Sequence, residues 1–442
     1  MTGMANGEKT TRQGSIEADK SEPNREMRLV AVYPGRTYQT IHGFGGAFTE
    51  AAGYVYSLMD AADRAEVVRT YFGPGDMGYT WGRASIDSSD FGLEMYAAGD
   101  DPADAALERM DFSRGERYVL PLIRDAEAVA GGPLQMMLTP WTPPAWMKTN
   151  GSRVGGGHLR EACAPIWAEM ICRHVERFIE LGLDVRLLST QNEPHAAQLW
   201  DSCLMDDGQE RAFIRDHLAP ALKRHGLNER LALLVWDHNK EHLYDRAEAI
   251  LGDGALDGMV GGAAFHWYSG DHFEAVRMTR ERFPDKRLVF SEGCVEHSVW
   301  GTEAEQLGAV KYAHEYIGDI NAGADTLIDW NLLLDEKGGP NHAGNFCDAP
   351  MMYDTVNHQL HKKLSLDYIG HFSRFIKPGA VRLGVSAFSP EIEATAAKNP
   401  NGSVAAVLLN TAEEERRFWL RLDGRFYPIL LPAFAIATCV AD

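Results

Sequence analysis

Two glutamates stand out by where they sit. Glu193 closes the run Leu187-Leu188-Ser189-Thr190-Gln191-Asn192 and is followed by Pro194, while Glu292 closes Leu288-Val289-Phe290-Ser291 and is followed by Gly293. Each carboxylate therefore comes straight after an apolar, strand-like run, at a turn whose backbone is set by proline or glycine. Two carboxylates facing each other across a shared mouth can cleave an acetal. One, protonated, donates to the leaving oxygen; the other, ionised, attacks the anomeric carbon. Either glutamate alone reads as a salt-bridged loop residue, and it is the pairing at two strand ends that points to chemistry. Asn192, beside Glu193, offers an amide for a sugar hydroxyl next to the reacting carbon.

Other strand ends supply the remainder of a sugar site. Trp141, Trp146, Trp267, Tyr268, Trp300 and Trp330 offer flat apolar faces, and Asp90, His266 and Asn345 offer hydroxyl partners. Any one of these aromatics also reads as core filling; their concentration after several strands favours a binding role. A metal site is not expected. His238 and His242 are four apart, but no Glu sits in an HExxH frame and no strand end carries a His-x-His pair. No cofactor motif appears either. His42-Gly43-Phe44-Gly45-Gly46 lacks the lysine and spacing of a phosphate loop, so its glycines read as making room inside a barrel.

The elements that must position these residues alternate regularly. Mostly continuous apolar runs at 41–46, 79–86, 134–140, 185–192, 232–237, 262–268, 287–292 and 324–334 read as parallel strands covered on both faces. Between them, helical patterns span 60–72, 114–130, 160–182, 208–225, 240–251, 272–283, 302–322 and 358–376. This alternation predicts a (β/α)8 TIM barrel over 37–376, with reactive groups at the C-terminal strand ends. From 377 the helix signal stops. Runs at 381–388, 391–397, 403–410, 416–422 and 427–440 predict a small antiparallel β-sandwich side domain, joined by an early strand at 27–33. The side domain is thus expected from 27–36 plus 377–442, and the polar residues 1–26 read as a disordered tail.

Composition sets the outer limits. The chain carries 43 Lys+Arg against 63 Asp+Glu, a formal net charge of −20. Such an acid excess disfavours nucleic acid and anionic membrane surfaces and leaves neutral small molecules open; with the site residues above, a small carbohydrate is the expected partner. Its six cysteines are scattered without a Cys-x-x-Cys pair, so reduced thiols are expected. The first 26 residues lack an apolar signal core, and the apolar stretch at 427–441 is interrupted by Pro428 and Pro432. A cytoplasmic protein without membrane insertion is the expectation, with the oligomeric state left open.

Segments carrying these residues resemble glycoside hydrolase family 30, the glucosylceramidase-like enzymes of the 4/7 barrel clan. The matching stretches are IHGFGGAFTEAAG (41–53), GRASIDSSDFG (82–92), TPWTPPAWMKTNG (139–151), STQNEP (189–194), FHWY (265–268), FSEG (290–293), DWNLLLDEKGGPN (329–341) and HFSRFIKPGAVRL (371–383). The resemblance implies a retaining double displacement, with Glu193 as acid/base and Glu292 as nucleophile. It implies that Arg83 steadies the nucleophile's charge, that Asp90 and Trp141 hold the outer hydroxyls of a glucosyl unit, and that Asn192 holds the 2-hydroxyl. Tyr268 would contact the nucleophile, and Trp330 and Asn345 would form the floor and far wall. The implied activity is exo-acting β-glucosidase on small glucosides or short oligosaccharides, with endo-β-1,6-glucanase, β-xylosidase and β-fucosidase as the family's alternatives. His195, Trp200-Asp201-Ser202-Cys203 and His342-Ala343-Gly344 depart from lysosomal-type relatives at positions the resemblance turns toward the leaving group.

Overall fold

The computed structural model describes residues 1–5, 8–19, 28–299 and 301–441. Eight parallel strands close into a barrel: Gly43–Ala47, Trp81–Ile86, Gln135–Pro140, Asp184–Ser189, Ala232–Asn239, Gly262–His266, Arg287–Glu292 and Thr326–Asn331. They are called strands one to eight below. Each overlaps one of the eight apolar runs, and the expected TIM barrel is what forms.

The alternation of side chains along a strand explains how this barrel carries a site. Trp81, Met137, Leu187, Leu234, Ala264, Val289 and Ile328 form one apolar layer inside it. Two residues further along the same strands come Arg83, Thr139, Ser189, His266, Ser291 and Trp330. A period of two therefore converts an apolar floor into a polar layer one step higher. Three register shifts adjust this layer, one between Trp236 and His238 in strand five, one between Phe290 and Glu292 in strand seven and one between Asp329 and Asn331 in strand eight. Bulges of this kind re-aim side chains next to functional sites. The glycines of strand one leave the room expected of them: a Cβ on Gly45 would fall 2.1 Å from the Trp81 carbonyl oxygen.

The helices follow the predicted pattern with three differences. Glu50–Leu58 is an additional helix, capped by the Thr49 hydroxyl on the Ala52 amide. Its short, glycine-containing sequence carries too little periodicity to be seen. The stretch 208–225 is interrupted by a π-turn at Ile214–Leu218. The stretch 358–376 begins with a strand, Gln359–Lys362, paired antiparallel with Met351–Asp354, and only Leu364–Ser373 is α-helical.

The side domain is a nine-stranded sheet folded on itself around Val30, Val32, Leu383, Leu408, Phe418 and Ile429. Its early strand is longer than the 27–33 run. Leu29–Ile41 pairs antiparallel with Ala380–Ser386 and parallel with Arg416–Leu422, so the sheet contains one parallel pair. The run 427–440 is two strands, Arg425–Leu431 and Ile436–Ala441, on either side of Pro432. The chain start also departs from the disordered tail. Thr2–Ala5 and Glu8–Thr11 form a hairpin that extends the sheet beyond Ile436. Backbone hydrogen bonding to an open sheet edge needs no apolar side chains, so composition does not reveal it. Residues 6, 7 and 20–26 of that tail lie outside the described residues. The side domain is tied to the barrel by Gln39, which donates to the Ile320 and Ala324 carbonyls at 2.7 and 2.9 Å, and by Asn321, which donates to Ala394.

Candidate active site

Strand two brings Arg83 to the centre of the polar layer, fully buried. Its guanidinium donates to Glu292 Oε2 at 2.5 Å, to Asn192 Oδ1 at 2.8 Å, to Asp237 Oδ2 at 3.0 Å and to Thr139 Oγ1 at 3.2 Å. Trp141 and Trp330 stack on each other at 5.5 Å and 21°, and the guanidinium lies 4.8 and 5.4 Å from their rings. One cation from strand two thus meets side chains from strands three, five, seven and eight and from the loops after strands three and four. A planar, five-donor group is suited to this, and a lysine ammonium is not.

Glu193 and Glu292 converge as their sequence positions suggested. Glu193 follows strand four with its backbone in the left-handed region at φ 44°, a conformation unusual for a residue with a side chain and concentrated at functional sites. His266 lies between the two carboxylates. Its Nδ1 is 3.3 Å from Glu193 Oε1 and 4.0 Å from Glu292 Oε1, and its Nε2 is 3.1 Å from Asp237 Oδ1. Burial opposes a charge on this imidazole, but the charge of Glu292 and the hydrogen bonds to Asp237 and Glu193 prevail and hold its pKa up to about 9. For Glu193, burial raises the pKa, while the His266 hydrogen bond and charge, His238 and the Gln198 amide outweigh it and keep the carboxyl below its ordinary range. Tyr268 donates its hydroxyl to Glu292 Oε1 at 3.0 Å.

The far wall is built from Asp90. Asn341 and Asn345 donate to its Oδ2 at 3.1 and 3.4 Å. Burial and then the charge of Glu292 push its carboxyl up to about 7 against those two hydrogen bonds. Asp90, Trp141, Asn192, Glu193, Tyr268, Glu292, Trp330 and Asn345 all line one cleft of about 800 Å³. Of the expected substrate-binding residues, Arg83 and His266 do not. Both are wholly buried behind the carboxylates, so His266 is a partner of the glutamates and not of a hydroxyl.

Several aromatic expectations are corrected. Trp267 is wholly buried against Tyr312 and Phe290, and its indole donates to the Cys294 carbonyl. Trp146 lies away from the cleft and donates to Gly99. Trp300 lies outside the described residues. Of the departing positions, Trp200 lines the cleft, but Asp201, Ser202 and Cys203 are buried. Asp201 pairs with Arg153 at 2.8 Å and with His342 at 3.3 Å, so those two loops brace one another. His195 packs edge-on against Trp236.

Asp237 is the residue the sequence reading missed. It is wholly buried, bonded to Arg83, His266 and Ser291, and those groups overcome its burial and hold its carboxyl well below the usual range. The missed signal was the same one that marked the glutamates: Asp237 follows the apolar run Leu233-Leu234-Val235-Trp236.

This is a closed barrel with two glutamates, an arginine and a ring of aromatic and amide groups at its C-terminal mouth. The sequence pattern of the glycosyl hydrolase family 30 TIM-barrel domain matches residues 41–376, and that of the family 30 beta sandwich domain matches 379–439. The chain belongs to glycosyl hydrolase family 30. This family 30 glycoside hydrolase is 30% identical over 444 residues to the lysosomal acid glucosylceramidase of Mus musculus, covering 96% of this chain and 85% of that protein. It superposes on the crystal structure of SrfJ from Salmonella typhimurium with a TM-score of 0.92 and 38% identity, over 97% and 95% of the two chains. The endo-beta1,6-glucanase BT3312 matches with a TM-score of 0.83 and 26% identity, over 95% of each chain. Among the described residues, no helix is long and apolar enough to cross a membrane.

Proposed function

We propose that this family 30 hydrolase is a retaining, exo-acting β-glucosidase of small glucosides, with Glu292 as nucleophile and Glu193 as acid/base. The observation that carries the reading is that both carboxylates meet one nitrogen of His266, at 3.3 and 4.0 Å. Those two contacts hold the carboxylate oxygens no more than about 7 Å apart, a span that includes the about 5–5.5 Å of double displacement, and retention is taken from the family 30 resemblance. Charge bears on the acid/base cycle. With Arg83 and His266 cationic, Asp237 held anionic and Glu292 as a carboxylate, the cluster is neutral while Glu193 carries its proton. His266 opposes this by keeping the Glu193 carboxyl below its ordinary range. When Glu292 becomes a glycosyl ester it loses its charge, and an anionic Glu193 then restores neutrality. The base required to activate water in the second half-reaction is therefore the favoured form at that stage.

Asp90 with its two asparagines, and the stacked Trp141 and Trp330, would hold the outer hydroxyls and apolar face of one glucosyl unit. Asn192, held by Arg83 through its oxygen, leaves its amide nitrogen for the 2-hydroxyl. On the leaving-group side, Leu199 stands beside the lining residues Gln198 and Trp200 and is 85% exposed, and Val299 beside Ser298 is 73% exposed. This apolar rim favours an aglycone with an alkyl or aryl portion over a glucan chain. Purified enzyme should release glucose, with the β configuration kept, from aryl and alkyl β-glucosides and from glucosylceramide in detergent, faster than it shortens β-1,6-gluco-oligosaccharides. Internal cleavage of β-1,6-glucan as the faster reaction would replace this reading by the endo-glucanase one.

A further inference from the structure

Beside Glu193 is a buried nitrogen that nothing in the hydrolytic mechanism uses. His238, at the end of strand five, has a buried Nδ1 with no hydrogen-bond partner. It points at Glu193 Oε1 from 3.7 Å, too far for a hydrogen bond, and the residue is 8% exposed. His266 Nδ1 approaches the same oxygen at 3.3 Å, and one donor atom from each of the three residues lies within 4.8 Å of the other two. Two imidazole nitrogens and one carboxylate oxygen are a His₂Glu donor set. A tetrahedral Zn²⁺ with bonds of about 2.0–2.2 Å requires ligand atoms roughly 3.3–3.5 Å apart, so modest side-chain rotations complete the set.

The surroundings also fit a metal. His266 Nε2 is bonded to Asp237, which is itself fixed by Arg83 and Ser291. This is the carboxylate–histidine arrangement that orients a metal ligand and strengthens its donation. Glu193 and His238 both line the cleft, which leaves a fourth position open to water.

We propose that Glu193, His238 and His266 form a binding site for Zn²⁺ whose occupation blocks hydrolysis by capturing the acid/base carboxylate. On binding, His266 releases its Nδ1 proton to solvent and that nitrogen's lone pair bonds the metal. The block rests on Glu193 being the acid/base; the binding does not, and the two are measured separately. Calorimetric titration of the full chain with zinc chloride in a non-coordinating buffer should show one tight site per chain. In parallel, zinc should abolish aryl β-glucoside hydrolysis, with full recovery on adding chelator. His238→Gln and Glu193→Gln, which remove ligands from different strand ends, should each weaken that site at least ~100-fold, and Asp237→Asn about 10–100-fold. Thermal melting identifies any variant that fails to fold, and the other ligand variant then carries the test. No saturable site in the wild type, or unchanged tight binding in both ligand variants, assigns zinc to surface histidines and overturns the proposal. Binding that the variants lose, without any effect on hydrolysis, upholds the site and removes Glu193 from the acid/base role.

Discussion

Replacing Arg83 with methionine would remove the cation on which the polar layer is built while leaving an apolar side chain of similar length in its place. Asp237 and Glu292 would then be left without their ion-pair partner, with side chains 0% and 8% exposed. Breaking a buried pair from one side costs about 3–5 kcal/mol. Unfolding entropy of roughly 2.1 cal/mol/K per residue, over 442 residues, comes to about 0.9 kcal/mol/K, so Tm should fall by roughly 3–5 °C. Activity should fall further than stability implies. Charge-assisted hydrogen bonds to Glu292 and Asn192, each worth about 1.5–3 kcal/mol, would both be lost from the reacting centre, and kcat/KM for an aryl β-glucoside should drop roughly 10²–10⁴-fold. Adding Asp237→Asn to the variant removes one stranded charge. The double variant should regain part of the Tm, through a coupling of about 0.5–3 kcal/mol, without regaining activity. Arg83→Lys keeps the charge but cannot span four acceptors, and should fall between wild type and Arg83→Met in both measurements. An Arg83→Met variant that melts within about 1 °C of wild type and keeps kcat/KM within a few-fold would refute this role for Arg83.

Further expectations follow from the same geometry. Glu292→Ala should abolish turnover of every glycoside, whereas Glu193→Ala should retain much more activity on aryl glucosides with good leaving groups than on alkyl glucosides; equal losses on both would remove the acid role. The acid form of Glu193 is lost as pH rises through its pKa, which His266 holds low. His266→Gln should therefore move the alkaline limb of kcat/KM to higher pH, and an unmoved limb would separate His266 from the acid/base. Asp329 is buried, with its carboxyl pushed by burial up to about 8, so the folded chain binds a proton there that the unfolded chain has shed by pH 5. Its contribution to stability is complete below about pH 4 and disappears as pH approaches 8. Asp329→Asn should flatten the decline in Tm between pH 5 and 8, and an identical slope in the variant would count against the assignment. Asp90→Asn should raise KM for glucosides far more than for xylosides, which lack the outer hydroxymethyl group, if Asp90 holds the outer hydroxyls.

Much of the molecule was legible from local pattern. A parallel strand covered on both faces is largely apolar, so all eight barrel strands appear in the sequence as mostly apolar runs, and Glu193 and Glu292 stand out at the ends of two of them. The edges of elements were less legible where hydrogen bonds and not side chains decide. The strand Gln359–Lys362 and the paired strands Thr2–Ala5 and Glu8–Thr11 are polar segments that pair with an exposed backbone edge. Aromatic residues were ambiguous for a related reason. Trp141 and Trp267 look alike along the chain, and only the strand's rotation puts one ring in the cleft and the other against Tyr312.

Residue order was enough to establish an alternating α/β chain, two carboxylates at strand ends and a family resemblance, because periodicity and strand termini are properties of neighbours in sequence. The roles within the site were decided by contacts between positions far apart. Arg83 reaches Glu292 across 209 residues and Asp237 across 154, and His266 meets Glu193 across 73. A register shift in strand five brings Asp237 into this cluster and leaves His238 Nδ1 buried without a partner beside Glu193. Charge, protonation and coordination depend on distances of 3 to 4 Å in a water-poor interior, and those distances exist only after the barrel has closed.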